Sequence, residues 1–189
     1  MRDPINRVNL FGFSVFSDDL DKIPLQGDRC ATVSTISPNS YGMATRDPEF
    51  REALVEADYL VLDGVYFALG SLLLLGQSMK PNQGPDVFAY FMRKLEQLRG
   101  RAFFLGSTQD TLQKIERRAA IEYPHVAVGT YSPPFKPEFD EHDNRIMVER
   151  INAFAPDIVF VGMTAPKQEK WAHRHRDLLN ARLAVSIGA

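Results

Sequence analysis

The chain has 189 residues, with 22 Lys and Arg against 24 Asp and Glu, a formal net charge of −2, and one cysteine, Cys30. At roughly 150 residues per domain that length corresponds to about one domain, and the 44% hydrophobic and 24% charged content excludes wholesale disorder. One thiol builds neither an internal disulfide nor a cysteine zinc site, and the near-neutral balance argues against a general binder of nucleic-acid backbones.

The N-terminus, Met1-Arg2-Asp3-Pro4, runs into polar residues rather than the apolar core of a signal peptide. Apolar runs of strand length then alternate with longer helical patterns. Strands are predicted over 8–16 (with a break near Gly12), 31–36, 59–62, 102–105, 126–130, 158–161 and 183–187. Helices are predicted over 40–57, 65–75, 86–98, 108–123, 138–154 and 166–179. Asp47-Pro48 and Ala155-Pro156 mark boundaries, because proline lacks an amide donor and biases its predecessor to extended geometry. Pro133, Pro134 and Pro137 stiffen the loop from Thr130. The uncharged stretch 64–79 is 16 residues long, short of the roughly 20 that cross a bilayer, so a buried helix is expected there. Strands separated by helices imply parallel pairing with right-handed crossovers. The fold class expected is therefore α/β: a Rossmann-like, mostly parallel sheet with helices on both faces, in a single domain.

In such sheets ligands bind beyond the carboxyl ends of the strands. Four turns qualify: Ser37-Pro38-Asn39-Ser40, Asp63-Gly64, Gly106-Ser107-Thr108, and the turn from Gly162 through Thr164, Pro166 and Lys167 to Gln168. Each opens a helix, offering unpaired amides and a positive dipole end to an anion. Ser, Thr, Asn and Asp at such places also cap helices with no ligand involved. Asp63 ends the apolar run from Tyr59, so its carboxylate emerges at the crevice partly desolvated, where burial raises its pKa and makes it a better base; the alternative is a cap for the helix beginning at Val65. Lys167 and Lys170 oppose the dipole at their helix start. An anionic ligand is one reason for them and a solvated basic face is the other.

Several patterns carry less. His173 and His175 lie two apart and point in different directions. Asp19-Leu20-Asp21 spells the Asp-x-Asp pattern of metal-dependent glycosyltransferases but reads as a surface turn, and Asp140, Glu141 and Asp143 lack the spacing of a calcium loop. Neither Gly-x-Gly-x-x-Gly nor a P-loop occurs. Cys30 begins a buried strand and is read as core.

The run Ala155-Pro156-Asp157-Ile158-Val159-Phe160-Val161-Gly162-Met163-Thr164-Ala165-Pro166-Lys167-Gln168-Glu169-Lys170-Trp171 resembles the hallmark of the WecG/TagA/CpsF glycosyltransferases, glycosyltransferase family 26. So does Arg46-Asp47-Pro48-Glu49-Phe50-Arg51-Glu52-Ala53-Leu54, with Ala57-Asp58 and Leu62-Asp63-Gly64 after it. Ser37-Pro38-Asn39 is similar to the family's Thr-Pro-Asn turn, Gly84-Pro85-Asp86 to its Gly-x-Asp turn, and Phe103-Phe104-Leu105-Gly106 to its third strand and turn.

The resemblance implies an inverting transfer of a sugar from a UDP-sugar to a polyprenyl-diphosphate-linked saccharide in cell-surface polysaccharide assembly. The sugar would be of N-acetylmannosamine type or a related hexose or uronic acid. The chemistry it implies needs no metal and no cofactor, and takes place at the cytoplasmic face of the bacterial plasma membrane with the enzyme peripheral to it, as a monomer or a homo-oligomer. Carried over by motif, Asp63 is the general base. Ser37, Asn39, Asp86, Gly106, Gly162, Thr164, Lys167 and Gln168 contribute to substrate binding, with the Gly106 and Gly162 helix starts and Lys167 facing the departing diphosphate. The chain departs from the pattern at Ser37, where the family has Thr, and at Pro81, where it commonly has Arg. Its 18–29 region is shorter, and the family's basic, partly apolar segment beyond the final Gly is absent from this sequence. The 189-residue chain is accordingly expected to bind UDP-sugar weakly or moderately and to turn over slowly. The alternative function is a catalytically impaired nucleotide-sugar-binding module, and a nucleotide-dependent oxidoreductase is disfavoured by the missing glycine fingerprint.

Overall fold

The chain enters its sheet through a hairpin, β1 (Arg7–Leu10) pairing antiparallel with β2 (Phe13–Phe16) across Phe11-Gly12. Both turn residues have positive φ, 51° and 86°, the backbone of a two-residue turn that matches strand twist, and this is why the 8–16 apolar run breaks at Gly12. The structure is a computed structural model, and it describes residues 5–64, 68–69, 72–73, 76, 82 and 84–187.

Six further strands follow among the described residues: β3 (Ala31–Ile36), β4 (Tyr59–Leu62), β5 (Arg101–Gly106), β6 (Ala127–Tyr131), β7 (Ile158–Gly162) and β8 (Leu183–Ser186). Their order is β1-β2-β4-β3-β8-β7-β5-β6, and every neighbouring pair except β1–β2 is parallel. The α/β class and the mostly parallel sheet expected from the alternation of apolar runs are thus present, with strand ends within one residue of those predicted.

Helices among the described residues include α1 (Pro38–Ala44), α2 (Pro48–Val55), α3 (Gly84–Leu98), α4 (Gln109–Glu122), α5 (Glu141–Phe154) and α6 (Lys167–His175). The single helix predicted over 40–57 is two. Asp47 accepts the Phe50 amide at 3.0 Å and caps a second helix that Pro48 starts, where a missing N–H costs nothing. The helix predicted from 138 begins later, because Asp140 and Asp143 form a reciprocal capping box at 2.9 and 3.1 Å. The last predicted helix ends at His175 and continues as a 3₁₀ turn, Arg176–Leu178. The helix predicted over 65–75 falls largely outside the described residues, as do Lys80 and Pro81. Among the described residues no helix is long and apolar enough to cross a membrane.

Alternation along each strand divides the core between the two faces of the sheet. Val33, Val61, Phe104, Phe160 and Val185 face Phe91, Leu95 and Leu112 of α3 and α4. On the other face Leu60, Leu62 and Ile36 meet Phe50 and Leu54 of α2, while Phe103, Leu105, Val159 and Ala184 meet Met147 and Ile151 of α5 and Trp171 and Ala172 of α6. Phe104 and Phe160 stack with ring centroids 5.2 Å apart, locking β5 to its neighbour β7.

β5 and β7 end level, Gly106 opposite Gly162. Gly106 has φ +118°, and a Cβ there would stand 2.3 Å from the Gly162 carbonyl oxygen. Gly106→Ala is therefore expected to destabilise the fold by at least about 2 kcal/mol, read as a lower urea midpoint. Gly42→Ala is its control. Its Cβ would meet nothing within 4 Å, and alanine within α1 is expected to be neutral or to stabilise by about 0.5–1 kcal/mol.

Candidate active site

The β3–β4 register sets Ile36 opposite Leu62, and the ladder runs one bond further: the Asp63 amide donates to the Ile36 carbonyl at 2.8 Å. That bond fixes Asp63 beside Ser37, where β3 turns into α1. Asp63 is half-buried. Burial, reinforced by the negative charge of Asp86 in the first turn of α3, raises its carboxyl above the usual aspartate value. Asp86 itself is exposed. Ser37 caps α1: its hydroxyl accepts the Ser40 amide at 3.2 Å, and its own amide donates to Ser40 Oγ at 2.6 Å. Asn39 is exposed in the same first turn.

The second part of the site comes from the β7–α6 turn. Gln168 and Glu169 are 2% and 3% exposed. Gln168 Oε1 accepts the Met163 amide at 3.3 Å, and its Nε2 donates to Glu169 Oε1 at 2.7 Å. Burial pushes the Glu169 carboxyl up, against the lowering effect of that hydrogen bond. Glu169 goes unmarked at the sequence level. The signal was its spacing, since Gln168 and Glu169 precede Trp171 and Ala172 by three residues each and so share their buried face.

Those two elements enclose a cleft of about 400 Å³ lined by Ser37, Asn39, Asp63, Gly84, Gln168, Glu169 and Ile187, among others. A slot of about 170 Å³ is lined by Phe104, Gly106, Ser107, Gly162 and Ile187, among others. Ile187 borders both, so cleft and slot adjoin. Ser107, at φ 61°, continues the positive-φ backbone of Gly106, and Thr108 caps α4 by accepting the Thr111 amide at 3.3 Å. Backbone held in this way at a strand end is strain of the kind found at ligand sites.

Of the residues expected at the rim, Ser37, Asn39, Asp63 and Gln168 meet in the cleft, Gly106 and Gly162 meet in the slot, and Asp86 acts on Asp63 electrostatically. Thr164 is exposed outside both, its carbonyl accepting the Lys167 amide at 3.0 Å. The Lys167 side chain is directed elsewhere. Its ammonium donates to the Lys136 carbonyl at 2.5 Å and lies 3.7 Å from the centroid of the Phe139 ring, in a separate cavity with Pro137 and Trp171. Its basic neighbours also have protein partners. Lys170 pairs with Asp47 at 2.5 Å and Glu49 at 3.5 Å, Arg174 with Glu49, and His173 and Arg176 with Glu56 at 3.0 and 3.1 Å. The basic side of α6 from Lys170 onward is thus the side that binds α2 and its caps. His175 stacks on Trp171 with centroids 4.7 Å apart, away from His173. Cys30 is buried and its thiol is pushed up to about 12. Among the described residues no group of three or more His, Cys, Asp and Glu is arranged to hold a metal ion.

The sequence pattern of the glycosyl transferase WecG/TagA/CpsF family matches residues 7–189. Relatives named N-acetylglucosaminyldiphosphoundecaprenol N-acetyl-beta-D-mannosaminyltransferase occur in Bacillus spizizenii (26% identical over 187 residues, 98% of this chain and 71% of the relative) and Bacillus subtilis (25% over 173 residues, 92% and 66%). A third, from Staphylococcus aureus, is 23% identical over 156 residues, 82% of this chain and 59% of the relative. The chain therefore spans between 59% and 71% of the length of these curated relatives.

The coupling between Asp63 and Asp86 has a direct readout. Asp86→Asn removes the like charge, so the Asp63 carboxyl is expected to titrate at a lower pH in the variant while staying above the usual aspartate range through burial. Carboxyl-carbon NMR titration of both proteins measures this, and an unchanged Asp63 midpoint would show the two charges to be uncoupled.

Proposed function

The chain belongs to the WecG/TagA/CpsF glycosyltransferase family, and on that premise we propose that it transfers an N-acetylmannosamine-type sugar, with inversion, from a UDP-sugar to a polyprenyl-diphosphate-linked saccharide. The relatives' names support this choice of sugar and acceptor class. The observation that carries the mechanism is the half-buried Asp63 carboxyl, raised in pKa, in a cleft that adjoins the Gly106–Gly162 slot.

In this reading the sugar occupies the cleft and the nucleotide diphosphate the slot. The acceptor hydroxyl oxygen attacks the anomeric carbon as the bond from that carbon to the diphosphate oxygen breaks, and the hydroxyl proton passes to the Asp63 carboxylate. A single displacement of this kind inverts the anomeric centre. A base works best when its pKa approaches the working pH, and burial moves Asp63 in that direction. Charge developing on the leaving diphosphate is met by backbone amides at the start of α4, after Gly106, rather than by a metal. The acceptor lipid assigns the reaction to the cytoplasmic membrane surface, with the protein peripheral to it.

Two measurements test the reading. Calorimetry is expected to detect UDP in preference to NAD and ATP. Asp63→Asn, assayed in the full-length protein with a lipid-linked acceptor, is expected to lower transfer by at least about 100-fold. The same substitution should leave the melting temperature at pH 7 equal or higher. A folded-state pKa above the unfolded one means that stability falls as pH rises through that interval, so ionised Asp63 is a cost at neutral pH that asparagine removes. Full transfer by Asp63→Asn would remove the base.

A further inference from the structure

The reaction just described leaves Glu169 without a task. This residue is 3% exposed, it lines the cleft with Asp63, and its Oε2 has no hydrogen-bond partner among the described residues. A buried carboxylate with one oxygen unpaired is among the costlier arrangements a fold can hold, and an apolar side chain of similar size would be cheaper at the same place. Its other oxygen, Oε1, is occupied by the Gln168 amide at 2.7 Å.

A second unpaired group lies close by in the fold. Ser186, the last residue of β8, is 2% exposed and its Oγ likewise has no partner among the described residues. Strand alternation puts Ser186 on the same face as Ala184, the face covered by Trp171 and Ala172 of α6. The start of α6 and the end of β8 thus each bring one unsatisfied polar atom to the carboxyl edge of the sheet. The surrounding charge narrows the occupant. Asp63 and Glu169 line the cleft and Asp86 acts on it, so a diphosphate is repelled from this part of the site, whereas a neutral ligand rich in hydroxyl and amide donors is attracted.

We propose that Glu169 is a saccharide-binding residue: Oε2 accepts a hydroxyl or acetamido N–H of the sugar in the cleft, while Oε1 holds the Gln168 amide in orientation. The proposal rests on the glycosyltransferase reading for the identity of the sugar, but not for the position of the acceptor atom. Glu169 thereby distinguishes the sugar from the nucleotide that carries it. Uridine diphosphate alone makes no use of it.

Glu169→Gln tests this, because glutamine keeps the volume, can still accept from Gln168, and presents a donor where Oε2 accepted. Wild type and variant are titrated with UDP, with UDP-N-acetylmannosamine and with the methyl glycoside of N-acetylmannosamine. UDP affinity is expected to be unchanged, UDP-sugar affinity to fall by about tenfold, and glycoside binding to be lost. The variant's melting temperature is expected at or above that of wild type, since a buried charge has been removed. Equal glycoside binding by the two proteins overturns the proposal, as does a wild type that binds UDP-sugar no better than UDP. A variant that melts lower yet binds all three ligands normally assigns Glu169 to the scaffold and also overturns it. Absence of UDP binding, with glycoside binding still lost in the variant, removes the donor assignment and leaves Glu169 in its role.

Discussion

Everything at the proposed site depends on the parallel register of the sheet. Because Ile36 lies opposite Leu62 and Gly106 opposite Gly162, strands from separate parts of the chain end level with one another, and their turns come to one rim. A slip of one residue would invert each side chain to the other face and carry Asp63 away from Ser37. The register is protected on both sides. Val61, Phe104, Phe160 and Val185 are buried against α3 and α4, while Leu62, Leu105, Val161 and Ala184 are buried on the opposite face. Fully burying one such side chain is worth roughly 1.5–3 kcal/mol, so a slip that exposes a strand's core residues is heavily penalised.

The cleft also needs α6 at a fixed position over the strand ends, and that position is set by a different force. Trp171 and Ala172 anchor the helix in the core. Across its outer side run the pairs Lys170–Asp47, Arg174–Glu49, His173–Glu56 and Arg176–Glu56. The Lys170 ammonium holds Asp47 below its usual range, and Asp47 in turn holds Lys170 above its own. Solvent-exposed pairs each contribute little, so no single one decides the matter. Together they tie α6 to α2, the same helix whose N-cap is Asp47, and so join the half of the site that carries Asp63 to the half that carries Gln168.

What could be read from the sequence follows this division. Strands are legible because a buried parallel strand reads as a short apolar run, and Tyr59–Leu62 and Ile158–Gly162 announce themselves by that alone. Asp63 is legible because it ends such a run. For Lys167, residue type and dipole logic give the helix position but not the direction of a long side chain, which here lies over Phe139, 28 positions earlier. Glu169 is hidden for the opposite reason. A glutamate next to lysines reads as solvated surface, and only the helical spacing to Trp171 and Ala172 reveals that this one faces inward.

The charge distribution across the rim gives the site its chemical direction. On the Asp63 side two carboxyls line the cleft, both raised by burial, with Asp86 adding to the field at Asp63. On the Gly106 side the slot has no carboxylate among its described lining residues and its backbone amides begin α4. A ligand with an anionic end and a neutral, donor-rich end can satisfy both sides in only one orientation. Reversed, it would set its charge against Asp63 and Glu169. Raised pKa values are the cost of that polarity, since each carboxyl is held where water and cations are scarce. The same desolvation strengthens its hydrogen bonds to a neutral ligand. In the proposed transfer this orientation turns the anomeric carbon toward Asp63 and its leaving group toward Gly106 and Gly162, which is the geometry an inverting displacement requires.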